Sequence, residues 1–152
     1  MSLRVQMLQV ARRAQTQLGD AVELVRAFYA KQIGAESGGC DRSGRPDLYY
    51  TVFVLNGFEA LDMEIPRKRV AAWLGTFGAG ESLDLVHVSS LARCWASVGR
   101  KLMPRGLAGA LCERMETFRK PDGGYDVNPA LDHGTAYGAF LALGAYQDLG
   151  KI

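Results

Sequence analysis

Two histidines, each close to an aspartate, have the residue types and spacing that acid–base chemistry requires. His87 follows Asp84 by three residues, and His133 directly follows Asp132. A histidine beside a carboxylate can relay protons or bind a polar head group. The same spacing arises when an aspartate caps the first turn of a helix. Capping alone accounts for both pairs, so the functional interpretation needs support from elsewhere in the chain.

A second set of candidates combines one arginine with several aromatic residues. Arg93 lies in a stretch that is otherwise short of charge, and a cation there needs a carboxylate, a phosphate group or a route to water. The aromatic residues could line an open apolar pocket or fill a packed core. They are Tyr49, Tyr50, Phe53, Trp95, Tyr137 and Phe140.

Hydrophobic periodicity predicts that helices position these residues. Asp47 is the expected N-cap of the third helix, Asp84 or Ser82 that of the fifth, and Asp132 is expected to start the seventh. Gly34 is expected to end the second helix in a left-handed conformation. The predicted helices span residues 3–17, 21–33, 48–61, 66–76, 84–98, 104–118 and 131–148.

The predicted helices alternate in character along the chain. The second, fourth and sixth have one polar face, whereas the third, fifth and seventh are apolar nearly all round, which is typical of buried helices. Thr51, Ser89 and Thr135 recur at roughly 40- to 45-residue intervals, the length of a helical hairpin repeat. We therefore expect one all-α domain over residues 1–152, built as about three and a half stacked hairpins with the apolar helices inside.

The amino-acid composition of the chain argues against several classes of protein. The net charge of +2 gives no support for nucleic-acid binding. No apolar run is long enough for a membrane span, and the first residues lack the pattern of a secretory signal. Three cysteines without a Cys-x-x-Cys pair argue against a disulfide framework and a four-cysteine zinc site. A cytoplasmic protein with reduced thiols is the expectation.

One turn and the start of one helix carry a resemblance to a known family. The turn is Phe118-x-x-x-Asp122-Gly-Gly-Tyr125, and the helix start is Asp47 followed four residues later by Thr51. Both are similar to the repeats of protein prenyltransferases and squalene cyclases. A related pattern, one residue shorter, runs from Asp132 to Thr135, and a degenerate one begins at Asp84.

The resemblance implies an α/α toroid around an apolar cavity, of which this chain would form about half. Members of that family bind isoprenoid substrates, and the prenyltransferases hold zinc. The zinc site requires an Asp-x-Cys pair and a histidine before the helix threonine, but this chain has no such pair and has Tyr50 before Thr51. The Asp-x-Asp-Asp acid of the cyclases is also missing. We therefore expect no zinc and no other cofactor.

Three functions remain open from the sequence. The first is a binding domain that takes an isoprenoid-type apolar ligand, or a second copy or subunit that completes the ring. The alternative is an active transferase or cyclase subunit that uses Arg93, Arg45 or Arg42 to hold an isoprenoid diphosphate. The third is a carbohydrate-active enzyme with Asp47, Asp84 and Asp132 on one rim. Catalytic residues are not identifiable, and the ligand-binding candidates are Tyr49, Tyr50, Phe53, Asp84, His87, Arg93, Trp95, Asp132, His133 and Tyr137.

Overall fold

The computed structural model describes residues 2–35 and 37–152. The chain is helical, which confirms the all-α prediction, whereas the closing of such helices into a toroid stays a prediction. Short 3₁₀ helices cover Gly19–Ala21 and Arg100–Leu102. The α-helices of the described residues are α1 (Leu3–Arg12), α2 (Ala14–Leu18), α3 (Val22–Ala30), α4 (Leu48–Ala60), α5 (Arg67–Gly75), α6 (Leu85–Val98), α7 (Leu107–Glu116) and α8 (Ala136–Leu149).

Helix α6 lies at the centre of the molecule. It packs between α4 and α8 and also contacts α5 and α7, while α1 lies against α4 and α8. Buried side chains occur on all sides of α6, as expected for a helix that is apolar nearly all round. They include Leu85, Val88, Leu91, Cys94 and Val98.

Aspartate caps set where α4 and α6 begin, as the sequence predicts. The carboxylate of Asp47 accepts a hydrogen bond from the Tyr50 backbone N–H at 3.0 Å. The carboxylate of Asp84 accepts one from the His87 backbone N–H at 2.9 Å. Each bond satisfies an N–H group that would otherwise have no partner in the first turn.

The prediction that the last helix begins near residue 131 with Asp132 as its cap is wrong. Helix α8 begins at Ala136, and its N-cap is Thr135, whose hydroxyl accepts from the Gly138 N–H. The preceding loop is held in a non-helical path because the Asp122 carboxylate accepts the Gly134 N–H at 3.0 Å. Hydrogen bonds from the N–H groups of Gly124 and Gly134 hold the pKa of Asp122 below its usual value.

Two of the connecting turns share one backbone pattern, which supports a repeat. In the turn before α8, the Lys120 N–H donates to the Gly124 carbonyl, and the Asp126 N–H donates to the Phe118 carbonyl. The same pair of bonds occurs before α4, where the Gly34 N–H donates to the Gly38 carbonyl and the Cys40 N–H donates to the Gln32 carbonyl.

The register of the predicted repeat is nevertheless wrong by four residues in the last unit. The Asp47 N–H donates to the Gly39 carbonyl, and at the matching position the Thr135 N–H donates to the Tyr125 carbonyl. Thr135 therefore corresponds to the cap Asp47. It does not correspond to Thr51, which lies one turn further along α4.

Three further boundaries differ from the predicted ones. The first predicted helix is divided at Arg13. The second ends at Ala30, because Ile33 forms a bridge with Gly39, and Gly34 is not left-handed. Helix α7 begins after Gly106, whose φ of 85° is incompatible with an interior helical position. No helix in the described part of the chain is long and apolar enough to cross a bilayer.

Two glycines of α8 provide a matched test of how closely this helix packs on the preceding turn. A Cβ at Gly138 would collide with the Tyr125 carbonyl oxygen, whereas a Cβ at Gly144 meets nothing within 4 Å. We expect Gly138→Ala to lower the free energy of unfolding by about 1–3 kcal/mol. Gly144→Ala should raise it by up to about 1 kcal/mol because alanine favours the helix. Urea unfolding checks both values, and equal effects would contradict this packing.

Candidate functional site

A groove with a volume of about 180 Å³ runs between the three central helices. Helices α4, α6 and α8 form its two walls and its floor, and Met7 of α1 closes one side. We call this space the central groove. Its lining residues are Met7, Tyr49, Val52, Phe53, Asn56, Ser89, Ser90, Arg93, Tyr137, Phe140 and Leu141.

The lining residues lie in layers when they are counted from the N-cap of each helix. Tyr49 and Tyr137 are each two residues after their caps and form an aromatic layer near the helix N-termini. Asn56 and Arg93 are each nine residues after their caps and form a polar layer deeper in the groove. At 1.5 Å per residue, the two layers are about 10 Å apart along the helices.

The aromatic side chains of the groove are open to solvent. Phe53 and Tyr137 are each 52% exposed, and Tyr49 and Phe140 are each 39% exposed. Tyr49 packs edge-on against Phe53 with ring centroids 5.0 Å apart. Exposed apolar surface of this kind is common at ligand-binding sites and at interfaces between proteins.

Arg93 has a carboxylate partner but retains an unused hydrogen-bond donor. Its Nε lies 3.6 Å from Oδ2 of Asp148, an ion-pair distance that is too long for a hydrogen bond. The Arg93 side chain is 13% exposed and that of Asp148 is 1% exposed. Among the described residues, neither Arg93 Nε nor Asp148 Oδ2 has a hydrogen-bond partner. The guanidinium also lies 6.0 Å from the centroid of the Phe140 ring.

A second arginine completes a cluster of charged side chains near the C-terminal ends of α4 and α8. Arg4 of α1 lies 3.1 Å from Glu59 of α4 and 3.4 Å from Asp148 of α8. The Leu3 N–H donates to the side chain of Gln147 at 2.8 Å. With Arg93, these ion pairs combine two cations with two anions, so the cluster carries no net charge. Its burial holds α1 against the ends of the central helices.

Ser89, Ser90 and Asn56 supply further polar atoms to the groove. The hydroxyls of Ser89 and Ser90 donate to the Val86 carbonyl at 2.9 and 2.7 Å, which leaves their oxygen lone pairs as acceptors. Oδ1 of Asn56 is buried and has no partner in the described part of the chain. The polar side chains of the groove therefore combine donors, on Arg93 and the Asn56 amide, with acceptor oxygens on Asn56, Ser89 and Ser90.

His87 lies outside the central groove and joins two helix caps. Its Nδ1 is 2.8 Å from Asp84, and its Nε2 is 3.7 Å from Asp47. Burial raises the pKa of Asp84, but hydrogen bonds from the backbone and ring of His87 outweigh this effect and leave the pKa below its usual value. The arrangement links the N-terminus of α4 to that of α6.

The other sequence candidates are dispersed. Trp95 is only 1% exposed and belongs to the core, so it does not line the groove. Tyr50 lines a different surface cleft, which also contains Phe28 and shares Phe53 with the central groove. Asp132 and His133 form an exposed pair 2.8 Å apart in the loop before α8, so the three aspartates proposed for a common rim do not all start helices. The structure therefore brings Tyr49, Phe53, Arg93 and Tyr137 together in the groove.

Sequence reasoning missed several residues of the site. Asn56 had a detectable signal, because it is an amide in an apolar helix at the same offset from its cap as Arg93. Ser89 was noticed only as a marker of the repeat. No sequence pattern singles out Asp148 and Met7, since their positions in the site depend on the contact between α1 and α8.

Within residues 2–35 and 37–152, no group of three or more histidine, cysteine, aspartate or glutamate side chains is placed to hold a metal ion. Comparisons of the chain with family models, with curated proteins and with solved structures give no match. The likeness to prenyltransferase repeats thus remains an expectation from the motifs.

The buried carboxylate of Asp148 should contribute strongly to stability. Replacing Asp148 with Asn leaves Arg93 without a carboxylate partner and leaves Arg4 with Glu59 alone, and we expect the free energy of unfolding to fall by about 3 kcal/mol. The matched control is Asp132→Asn in the exposed loop, which should change it by less than about 0.5 kcal/mol. Denaturant unfolding measures the free energy of unfolding of both variants. If Asp148→Asn leaves it unchanged, the ion pairs are not needed for the fold.

Proposed function

We propose that this chain is a binding domain of the prenyltransferase-like type whose central groove takes an apolar, isoprenoid-type ligand. The observation that carries the proposal is the groove itself. Aromatic side chains from α4 and α8 are open to solvent on both walls, and the other polar side chains of the lining, Asn56, Ser89, Ser90 and Arg93, lie on α4 and α6. An apolar cleft with a few convergent polar groups is the usual form of a small-molecule site.

The size of the groove favours a small ligand or one end of a long one. A cavity of about 150 Å³ lined by apolar side chains is large enough to bind benzene. The central groove, at about 180 Å³, is slightly larger. It therefore suits a short branched hydrocarbon unit, and a longer chain would extend past the exposed rings of Phe53 and Tyr137.

The repeated turn supports the family assignment within this proposal. Residues 32–40 and 118–126 have the same pair of backbone hydrogen bonds, and each is followed by a capped apolar helix. Stacked hairpins with their apolar helices on one side would form part of an α/α ring. The central groove would then be part of the cavity of that ring.

Binding can be tested with p-xylene, a small apolar probe without a polar head. We expect it to shift the backbone amide NMR signals of groove residues saturably. Phe53→Ala and Tyr137→Ala should each weaken the affinity about fivefold or more, since each removes about 1 kcal/mol or more of apolar contact. Both side chains are half exposed, so these variants should still fold.

The control is Phe28→Ala, because Phe28 is equally exposed but lies on α3 outside the central groove. Its affinity for p-xylene should equal that of the unmodified chain. The proposal is wrong if p-xylene gives no saturable shift, or if the shifted signals belong to residues remote from the groove.

A second candidate function is assembly with another copy of the chain. It is favoured by Leu143 of α8, which is 47% exposed and lies one helical turn after the groove residue Phe140. Twofold association is the commonest way in which such surfaces are covered. Leu143→Glu should then shift the chain towards monomer, while Val127→Glu, at an equally exposed loop position, should not. Light scattering over a range of concentrations measures this, and a monomer throughout would exclude the candidate.

A further inference from the structure

We propose that the ligand is a long isoprenoid-type carboxylic acid, whose chain leaves the central groove, passes over Phe53 and ends with its carboxylate at Arg42. This inference rests on the proposed function and deepens it, because it specifies the length of the ligand and the charge of its head. It follows from two further clefts that adjoin the groove and from the charges that line all three spaces.

Two further clefts adjoin the central groove at the exposed surface of α4. The inner cleft lies between α1, α3 and α4, has a volume of about 220 Å³, and shares Met7, Phe53 and Asn56 with the groove. The outer cleft lies between α3, α4 and residues 40–42, has a volume of about 250 Å³, and shares Tyr29 and Phe53 with the inner cleft. Sites for small molecules usually have volumes of about 300–1,000 Å³. The central groove alone is smaller than this, whereas the three joined spaces lie within the range.

A row of side chains on α4 connects the three spaces. Asn56 lines the groove and the inner cleft, Phe53 lines all three spaces, and Tyr50 lines the outer cleft. These residues are three apart, and side chains at that spacing are neighbours on a helix. Each step falls about 60° short of a full turn, so the row winds around α4 from the groove to the outer cleft. Phe53 is 52% exposed, and a chain can therefore cross its ring without displacing it.

The floor shared by the inner and outer clefts is already formed. Tyr29 lines both clefts, and its ring lies so close to Gly57 that a Cβ there would be 2.1 Å from a ring carbon. Phe28 packs edge-on against Tyr29 with ring centroids 5.6 Å apart, and it is 58% exposed. An apolar chain would therefore find ordered aromatic surface along its path, which lowers the entropic cost of binding.

Arg42 lies at the far end of this path and has no counter-charge. Its side chain makes no hydrogen bond or ion pair with any residue in the described part of the chain. The neighbouring carboxylate of Asp41 is already occupied, because its Oδ1 accepts the N–H groups of Ser43 and Arg45 at 2.7 and 2.9 Å. Its Oδ2 lies 3.3 Å from Arg45 Nε. The outer cleft thus presents an unpaired cation.

The other two spaces offer no comparable charge. The residues that line the inner cleft are all uncharged, and Arg93 in the central groove faces Asp148. A chain in these spaces should therefore be apolar, and its head at Arg42 should carry a negative charge. A carboxylate suits a single arginine, because its two oxygens can accept paired N–H bonds from one guanidinium group.

The first test measures whether a ligand reaches the outer cleft. Cys40 lines that cleft, so the rate of its alkylation reports whether the cleft is occupied. Cys94 is fully buried, and Cys112→Ser removes the remaining partly exposed thiol. In this variant, saturating farnesoic acid should slow the alkylation of Cys40 about fivefold or more. Saturating p-xylene, which is expected in the central groove alone, should leave the rate unchanged.

Two further variants separate the chain of the ligand from its head, with calorimetric titration as the measurement. Tyr50→Ala should weaken the binding of farnesoic acid about fivefold, since it removes about 1 kcal/mol of apolar contact, and it should not affect p-xylene. Arg42→Gln should weaken the acid about threefold and leave the affinity for methyl farnesoate unchanged. The matched control is Arg105→Gln, because Arg105 is also exposed but lines none of the three spaces; it should change neither affinity.

The outcomes distinguish this inference from the proposed function. If p-xylene binds in the groove but farnesoic acid fails to protect Cys40, or binds Tyr50→Ala unchanged, the inference is overturned while the proposed function stands. The inference is also overturned if methyl farnesoate binds as tightly as the acid, or if Arg105→Gln weakens the acid as much as Arg42→Gln. If neither p-xylene nor farnesoic acid binds, both proposals are wrong.

Discussion

The structure depends on the coverage of α6, a helix with buried side chains on every side. One apolar face can be covered by a single neighbour, but an all-round apolar helix requires several. Helices α4 and α8 meet this need on two sides, and α5 and α7 meet it on others. Because α4 and α8 flank α6 without covering the strip between them, the central groove forms over Ser89, Ser90 and Arg93. The site is thus a direct result of how the core is closed.

Ion pairs then determine which side chains can pack at the end of the groove that lies away from the helix N-termini. Arg93 lies on the buried helix α6, where an unpaired cation would be energetically costly. Asp148 of α8 supplies the opposite charge. Asp148 in turn draws in Arg4 from α1. The buried carboxylate of Asp148 therefore joins α1, α6 and α8. Together with Glu59 it balances the charges of Arg4 and Arg93, so the ion pairs at this end of the groove carry no net charge.

Local chemistry made part of this arrangement predictable. Asp47 and Asp84 were identifiable as caps because a carboxylate before an apolar helix satisfies free N–H groups within three residues. Helices α4 and α6 followed from long apolar runs. The start of α8 was not predictable in this way, since Asp132 and Thr135 are both good caps and the choice between them is made by Asp122, ten or more residues away.

The site shows the same division between local and distant information. Tyr49, Phe53, Arg93 and Tyr137 could be proposed from residue type, because aromatic residues and a lone cation stand out in apolar helices. Trp95 has the same chemistry but faces the core, and only the packing of α6 distinguishes it from the others. The role of Asp148 could not be predicted from the sequence, because its partners Arg4 and Arg93 lie far from it along the chain.

The contact between Arg4 and Asp148 has a consequence for how the protein is made. It joins residues separated by 144 positions, so the part of the α1 docking surface that belongs to α8 exists only after α8 has been synthesised, whereas the part that belongs to α4 exists much earlier. Closing so long a loop costs conformational entropy, and the earlier contact of Arg4 with Glu59 of α4 shortens the loop that remains to be closed. Helix α1 thus has a first partner early in synthesis and gains its second only with the last helix of the sequence.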